Sequence, residues 1–189
     1  MTKKEISKNK LENCSDLNEY ILGKVNDKYL NIKKIALIDC DGIITTGESF
    51  YTSEGKLMKS YGCYDKEMMK LLGTIGWEFE FVSDDKKGFN ITKKRISDLG
   101  YELHQASAKD RLKIIKDYKK IIGYDIVLFI GDSLSDIPSL AEADYSGTCN
   151  NAPEMVKDFC DYSSNLNGGN GALADILFKI HQMIKNDYE

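Results

Sequence analysis

Several absences narrow the possibilities before any motif is considered. No stretch approaches the roughly 18 consecutive apolar residues that a membrane-spanning helix needs, so a membrane is not the expected environment. The opening Met1-Thr-Lys-Lys-Glu-Ile-Ser-Lys is polar and lacks the apolar core of a secretory leader. The cysteines (Cys14, Cys40, Cys63, Cys149, Cys160) are odd in number and contain no C-x-x-C pair. A disulfide framework and a zinc site are therefore not expected, and a reducing cytoplasm fits best. His104 and His181 are too few and too far apart for a histidine metal site; they read as a strand residue and an exposed helix residue. Basic charge is not in excess. With 26 Lys+Arg against 30 Asp+Glu the net charge is −4, which argues against nucleic acid as the main partner. There is no internal repeat and no low-complexity segment.

The chain that remains is 189 residues long, with 42% hydrophobic and 30% charged residues, an ordinary balance for one globular domain. Residues 1–31 read as an N-terminal extension packed on that domain. Its first ten residues form a Lys-rich tail. Asp16, with Glu19 three residues on, could cap a short helix carrying Leu17, Tyr20, Ile21 and Val25 on one side. Residues 32–189 form the domain proper.

Within it, strand and helix signals alternate. Ile35–Ile38 and Asp125–Ile130 are short apolar runs that stop at carboxylates, as buried parallel strands do. Trp77–Val82 alternates with period two. Ser49 to Tyr61 holds two short segments around Ser53-Glu-Gly55, a hairpin pattern. Helices are expected from Asp65 with a stop at Gly76, from Phe89 to Leu99 before Gly100, and from the Ser107–Asp110 capping box to Ile122 before Gly123. Further helices are expected around Asp136 to Ala143 and from Ala172 to Ile184. Pro153 stands where a first helical position would be. This alternation predicts an α/β fold, a doubly wound, Rossmann-like parallel sheet covered on both faces. Ligands then bind beyond the carboxyl ends of the strands.

Four carboxylates fall at such ends. Asp39 and Asp41 follow the first apolar strand, Asp132 follows Ile126–Ile130, and Asp136 lies four residues on. If the two strands are neighbours these groups converge, and a hard divalent cation such as Mg²⁺ relieves their repulsion. Asp136 alone would read as a helix cap, and Ser83 alone as a turn residue. Cys40, between two of the carboxylates, reads as a small core hydrophobe.

The motifs as a set resemble those of the haloacid dehalogenase-like phosphohydrolases. Asp39-Cys-Asp41-Gly42-Ile-Ile-Thr45 is similar to D-x-D-G-x-x-[ST]. Ser83 matches the strand-end Ser/Thr, Lys109 the lone Lys opening a helix, and Gly131-Asp132-Ser-Leu-Ser-Asp136 the G-D-x-x-x-D. The resemblance implies Asp39 as nucleophile, forming an aspartyl-phosphate, and Asp41 as acid then base. It implies Mg²⁺ held by Asp39, the Asp41 carbonyl and Asp132 with support from Asp136, and Ser83 and Lys109 on the phosphoryl oxygens. Gly42, Asp84 and Asn170 join Ser83 and Lys109 as expected substrate-binding residues.

The hairpin over Gly47–Tyr61, in place of a large cap, and the segment Gly168-Gly-Asn-Gly-Ala172 narrow the resemblance. They are similar to the octulosonate 8-phosphate and sialic acid 9-phosphate phosphatases and to the phosphatase-like module of acylneuraminate cytidylyltransferases. That resemblance implies a small phosphorylated metabolite as substrate and a homo-tetramer whose hairpins form a central barrel. Taken alone, Gly168–Gly171 reads as a flexible loop. Four places depart from the subfamily pattern: Thr46 follows the first-motif Thr where Asp often does, and three others lack an expected arginine. Ser83-Asp84-Asp85 stands for Thr-Gly-Arg, Asn170 for the Arg of Gly-Gly-Arg-Gly, and Tyr64 for an Arg before the helix. Arginine is the preferred bidentate carboxylate ligand, so the substrate is not expected to be the usual octulosonate phosphate. The alternatives are a catalytically weak assembly or regulatory module and, less in keeping with the motif order, a phospho-receiver switch.

Overall fold

The computed structural model describes residues 17–188. Cys14 and the cap expected at Asp16 lie outside them. Two short helices, α1 (Leu17–Leu22) and α2 (Asp27–Asn31), lead into strand β1 (Lys34–Asp39), whose six residues are all buried. A hairpin follows, β2 (Thr45–Thr52) and β3 (Gly55–Tyr61). The chain continues through α3 (Asp65–Gly73), β4 (Trp77–Ser83), α4 (Phe89–Leu99), β5 (Leu103–Gln105) and α5 (Ala108–Asp117). Helix α5 runs on as a π turn over Tyr118–Ile122. Then come β6 (Ile126–Ile130), a 3₁₀ turn (Leu134–Asp136), α6 (Ile137–Glu142), β7 (Tyr145–Thr148), α7 (Glu154–Lys157), β8 (Tyr162–Ser163) and α8 (Ala172–Tyr188).

Six strands form one parallel sheet in the order β5-β4-β1-β6-β7-β8. The order reverses at β1, so the crevice beyond its carboxyl end is the topological switch point where such sheets bind ligands. The two apolar runs are direct neighbours, with Ile38 opposite Ile130 in the parallel register. That register brings Asp39 and Asp132 to the same edge. The hairpin forms a separate two-stranded sheet.

Local chemistry sets most element ends as expected. Gly100 and Gly123 close their helices with φ of 93° and 75°, a backbone region only glycine enters cheaply. Ser107 and Asp110 form a reciprocal capping box at α5. Small differences occur at other ends. Tyr64, without a side-chain cap bond, precedes α3, and Pro153 is itself the residue before α7.

Two expectations are corrected. His181 is fully buried, not exposed. It stands one turn after Leu177 on the face of α8 that also carries Leu173, Ile180 and Ile184, and its ring bonds Tyr29 Oη and Leu22 O. The glycines 168 and 169 are not a loose loop. They are buried, and the Gly169 N–H donates to Ile43 O at 2.9 Å. A Cβ on Gly168 would come within 1.7 Å of Gly42 O, so this segment is packed on the first-motif loop.

Candidate active site

The site lies at the carboxyl ends of β1, β4 and β6. Asp39 is the last residue of β1 and is buried. Gly42 turns the following loop with φ of 90°, and a Cβ there would fall 2.0 Å from Asp132 Oδ2. Glycine therefore lets the Asp132 carboxylate close on the first-motif loop. The Gly42 N–H donates to Thr45 Oγ1 at 2.9 Å, which holds the turn.

Asp39, Asp132 and Asp136 each offer an oxygen, and these atoms all lie within 4.8 Å of one another. Asp136 is fully buried. Its Oδ2 accepts from the Ser133 N–H at 3.0 Å and from Ser133 Oγ at 2.7 Å. Asp132 Oδ1 and Asp136 Oδ1 are buried without a hydrogen bond. Burial raises the Asp39 carboxyl well above its ordinary range, and the negative charge of Asp136 adds to this. Burial and Asp136 likewise push Asp132 up to about 7. Three clustered carboxylates, two buried oxygens without a hydrogen bond and disfavoured ionisation are what a hard divalent cation with oxygen ligands relieves.

The Asp41 carboxylate is not among those three. Its Oδ2 accepts from Ser83 Oγ at 2.9 Å and its Oδ1 from Lys59 Nζ at 2.5 Å. Ser83 is buried at the end of β4 and also accepts the Asp85 N–H, so one hydroxyl fixes two carboxylate-bearing turns.

Lys109 departs from expectation. It is exposed and does not line the site cavity. Arg111, two residues on, is buried and takes the place expected of Lys109. Its Nη1 donates to Asp39 Oδ1 at 3.2 Å, its Nε lies 3.3 Å from Asp136 Oδ1, and its Nη2 donates to Ser135 Oγ at 2.9 Å. A step of two residues turns about 200° around a helix, so the two side chains cannot share a face. The sequence carried a signal for this. Arg111, Ile115 and Tyr118 fall at i, i+4 and i+7 and are all buried.

Lys56 and Lys59, on β3, are marked by no sequence motif. Lys59 is buried and donates to Asp41 Oδ1 at 2.5 Å and Thr92 Oγ1 at 2.9 Å, with Asp85 Oδ2 2.8 Å away. Asp85 Oδ2 also takes Lys56 Nζ at 2.5 Å. Asp84 is exposed and lines the cavity, whose volume is about 250 Å³. Asn170 is exposed, does not line the cavity, and bonds through its backbone N–H to Asn167 O.

With this site at the carboxyl ends of β1 and β6, the sequence and the fold match known proteins over most of the chain. The sequence is 28% identical over 160 residues, 84% of this chain and 87% of the relative, to 3-deoxy-D-manno-octulosonate 8-phosphate phosphatase of Haemophilus influenzae. The cobalt-bound structure of the Haemophilus influenzae octulosonate phosphatase superposes with a TM-score of 0.69 at 26% identity, covering 82% of this chain and 92% of that one. In sequence and fold the chain is similar to haloacid dehalogenase-like phosphatases. It is similar to the octulosonate phosphatases within that group. The Moraxella catarrhalis octulosonate phosphatase, in complex with magnesium, phosphate and the octulosonate sugar acid, shares the fold with a TM-score of 0.70 at 24% identity, over 85% of this chain and 91% of that one. No family model matches the sequence. Among the described residues no helix is long and apolar enough to cross a membrane.

Proposed function

We propose that this haloacid dehalogenase-like chain is a Mg²⁺-dependent phosphomonoesterase acting on a small phosphorylated sugar or sugar acid. The observation that carries the reading is the cluster of Asp39, Asp132 and Asp136 with Arg111 seated against it. Asp39, Asp132 and Asp136 are the residues that would hold the metal. The cation, when bound, neutralises the carboxylates and the phosphoryl oxygens. The names of the relatives support both the reaction and the metal.

The residues divide the work by position. Asp39 attacks phosphorus; an Asp39–phosphorus bond forms as the bond to the leaving oxygen breaks. Asp41 stands outside the carboxylate cluster and is oriented by Ser83 and Lys59. In its protonated form it gives a proton to the leaving alcohol, and the resulting carboxylate then takes one from the water that hydrolyses the aspartyl-phosphate. Arg111 donates to the phosphoryl oxygens, where negative charge must be held in the transition state. Lys109 has no part in this scheme.

The reading is tested with a panel of phosphorylated metabolites under Mg²⁺, with Asp39→Asn as control. Turnover that vanishes with chelator, returns with Mg²⁺ and is absent from Asp39→Asn is expected. Full activity in Asp39→Asn overturns the mechanism. Undetectable turnover across the panel favours a non-catalytic module.

A further inference from the structure

The cationic groups at the leaving-group end of the cavity are already paired within the chain. Asp85 is the hub. Its Oδ2 takes Lys56 Nζ at 2.5 Å and Lys59 Nζ at 2.8 Å, and its Oδ1 accepts the Gly88 N–H at 3.0 Å. Burial opposes ionisation of Asp85, but the bonds from Lys56 and Lys59 hold its carboxyl well below the usual carboxylate range. The packing is tight. A Cβ on Gly88 would stand 2.3 Å from Asp85 Oδ2, 2.6 Å from Lys59 Cε and 2.8 Å from Lys56 Cδ. The Lys56 side chain keeps 11% of its exposure and that of Lys59 1%.

The charge balance of the cavity follows. Its lining carries four carboxylates (Asp39, Asp41, Asp84, Asp85) against Lys56 and Arg111, with Ser49, Ser133 and Ser135 as neutral groups. Arg111 is bound to the phosphoryl end through Asp39. A divalent cation held by Asp39, Asp132 and Asp136 would be taken up by those carboxylates and the phosphoryl group, and would leave no positive charge over for the leaving group. Among the described residues no positive charge then lines the cavity unpaired. A leaving group with its own carboxylate would meet Asp84 and Asp85, whereas hydroxyls can donate to both.

We propose that Asp85 is a specificity-determining residue. By holding Lys56 and Lys59, it withholds them from the substrate, and the site selects the phosphate ester of a neutral polyhydroxy compound over that of a sugar acid. This rests on the phosphomonoesterase reading and narrows its substrate class.

The test uses the full chain with Mg²⁺ and three probes: p-nitrophenyl phosphate, neutral sugar phosphates, and phosphorylated aldonic or ulosonic acids of matched length. Wild-type kcat/KM is expected to favour the neutral esters by about tenfold or more, the scale of one lost charge-assisted contact. Asp85→Asn, which keeps the shape and releases the lysines, is expected to move that ratio toward the acids by about tenfold, chiefly through KM. Lys56→Gln in the wild-type background is expected to leave the acids no worse relative to the neutral esters, and this variant serves if Asp85→Asn does not fold. A wild-type preference for the acids, an unchanged ratio in Asp85→Asn, or a selective loss on acids in Lys56→Gln overturns the inference. Failure to cleave even p-nitrophenyl phosphate overturns the phosphatase reading instead.

Discussion

The hydroxyl of Tyr29 and the ring nitrogen Nδ1 of His181 lie 2.6 Å apart, although 152 residues separate them in the chain. Trp77 Nε1 donates to the same hydroxyl at 3.0 Å, and His181 Nε2 meets Leu22 O at 3.0 Å. The Leu22 carbonyl can only accept, so Nε2 carries the ring proton and Nδ1 accepts from Tyr29. Burial lowers the His181 pKa and keeps the ring neutral, as this chain of donors requires. The segment before β1 is thus fastened into the core by polar groups, each with a partner.

Removing the centre of that chain should cost stability and spare chemistry. Tyr29→Phe leaves the Trp77 N–H and the His181 nitrogen buried without partners, at about 1–3 kcal/mol for each. Denaturant unfolding should show the midpoint fall, while kcat of the folded fraction under Mg²⁺ stays within about twofold of wild type. An unchanged midpoint would mean that the buried groups find water or other partners.

Arg111 and Lys109 give a paired prediction. Arg111→Ala should lower kcat by about 10²- to 10³-fold, the usual loss for one donor to a developing anion. Arg111→Lys should recover part of it, since an ammonium supplies charge without the two-pronged geometry. Lys109→Ala should leave kcat within about twofold, because its side chain is exposed away from the cavity. Steady-state kinetics on any accepted ester decides between the two residues.

Asp65 provides a pH dependence outside the catalytic cluster. Burial raises its carboxyl to about 6, against attraction from Arg95 and a bond from the Ala174 N–H in the first turn of α8. The folded state therefore holds this proton more tightly than the unfolded chain does. Its contribution to stability is full below about pH 4 and is lost as pH rises through 6, a change of about 3 kcal/mol. Asp65→Asn keeps an acceptor for α8 but has no charge to bury. Its stability relative to wild type should rise between pH 4 and 7, and urea midpoints at several pH values would reveal a flat difference if Asp65 were irrelevant.

Two glycines should respond oppositely to alanine. Gly168→Ala drives a methyl into the Gly42 carbonyl, displacing the first-motif loop. Both thermal stability and activity should fall, with a loss on the scale of core overpacking, about 1–3 kcal/mol or more. Gly73, the last residue of α3, has open space where a Cβ would stand and a helical backbone. Gly73→Ala should be neutral or raise stability by up to about 1 kcal/mol. Calorimetry on the two variants checks both.

The parts legible in the sequence were those written in neighbouring residues. The apolar runs at Ile35–Ile38 and Ile126–Ile130, the capping box at Ser107 and the glycine closures at Gly100 and Gly123 depend on local chemistry and lie where expected. The carboxylates Asp39, Asp132 and Asp136 converge because two such runs are adjacent strands. Less legible were side chains whose meaning depends on distant partners. Lys59 is an unremarkable hairpin residue until Asp41, Asp85 and Thr92 surround it. Arg111 and His181 fall between these cases. Both sit on the apolar stripe of their helices, so periodicity marked them as buried, while their polarity argued for the surface.

Among the described residues the hairpin pairs with no other strand, and this sets how the molecule can vary. The cluster of Asp39, Asp132 and Asp136 is built at the edge of the six-stranded sheet. Lys56 and Lys59 ride on a two-stranded ribbon held at its root, where the Gly62 N–H meets Ile44 O at 3.5 Å, and through those lysines themselves. Backbone amides of β2 and β3 should therefore exchange with solvent by local opening, long before those of β1 and β6. An element that opens independently can also be resequenced independently. Lineages of this protein could acquire new substrates by changing the ribbon and its anchor at Asp85, with the reaction chemistry left in place.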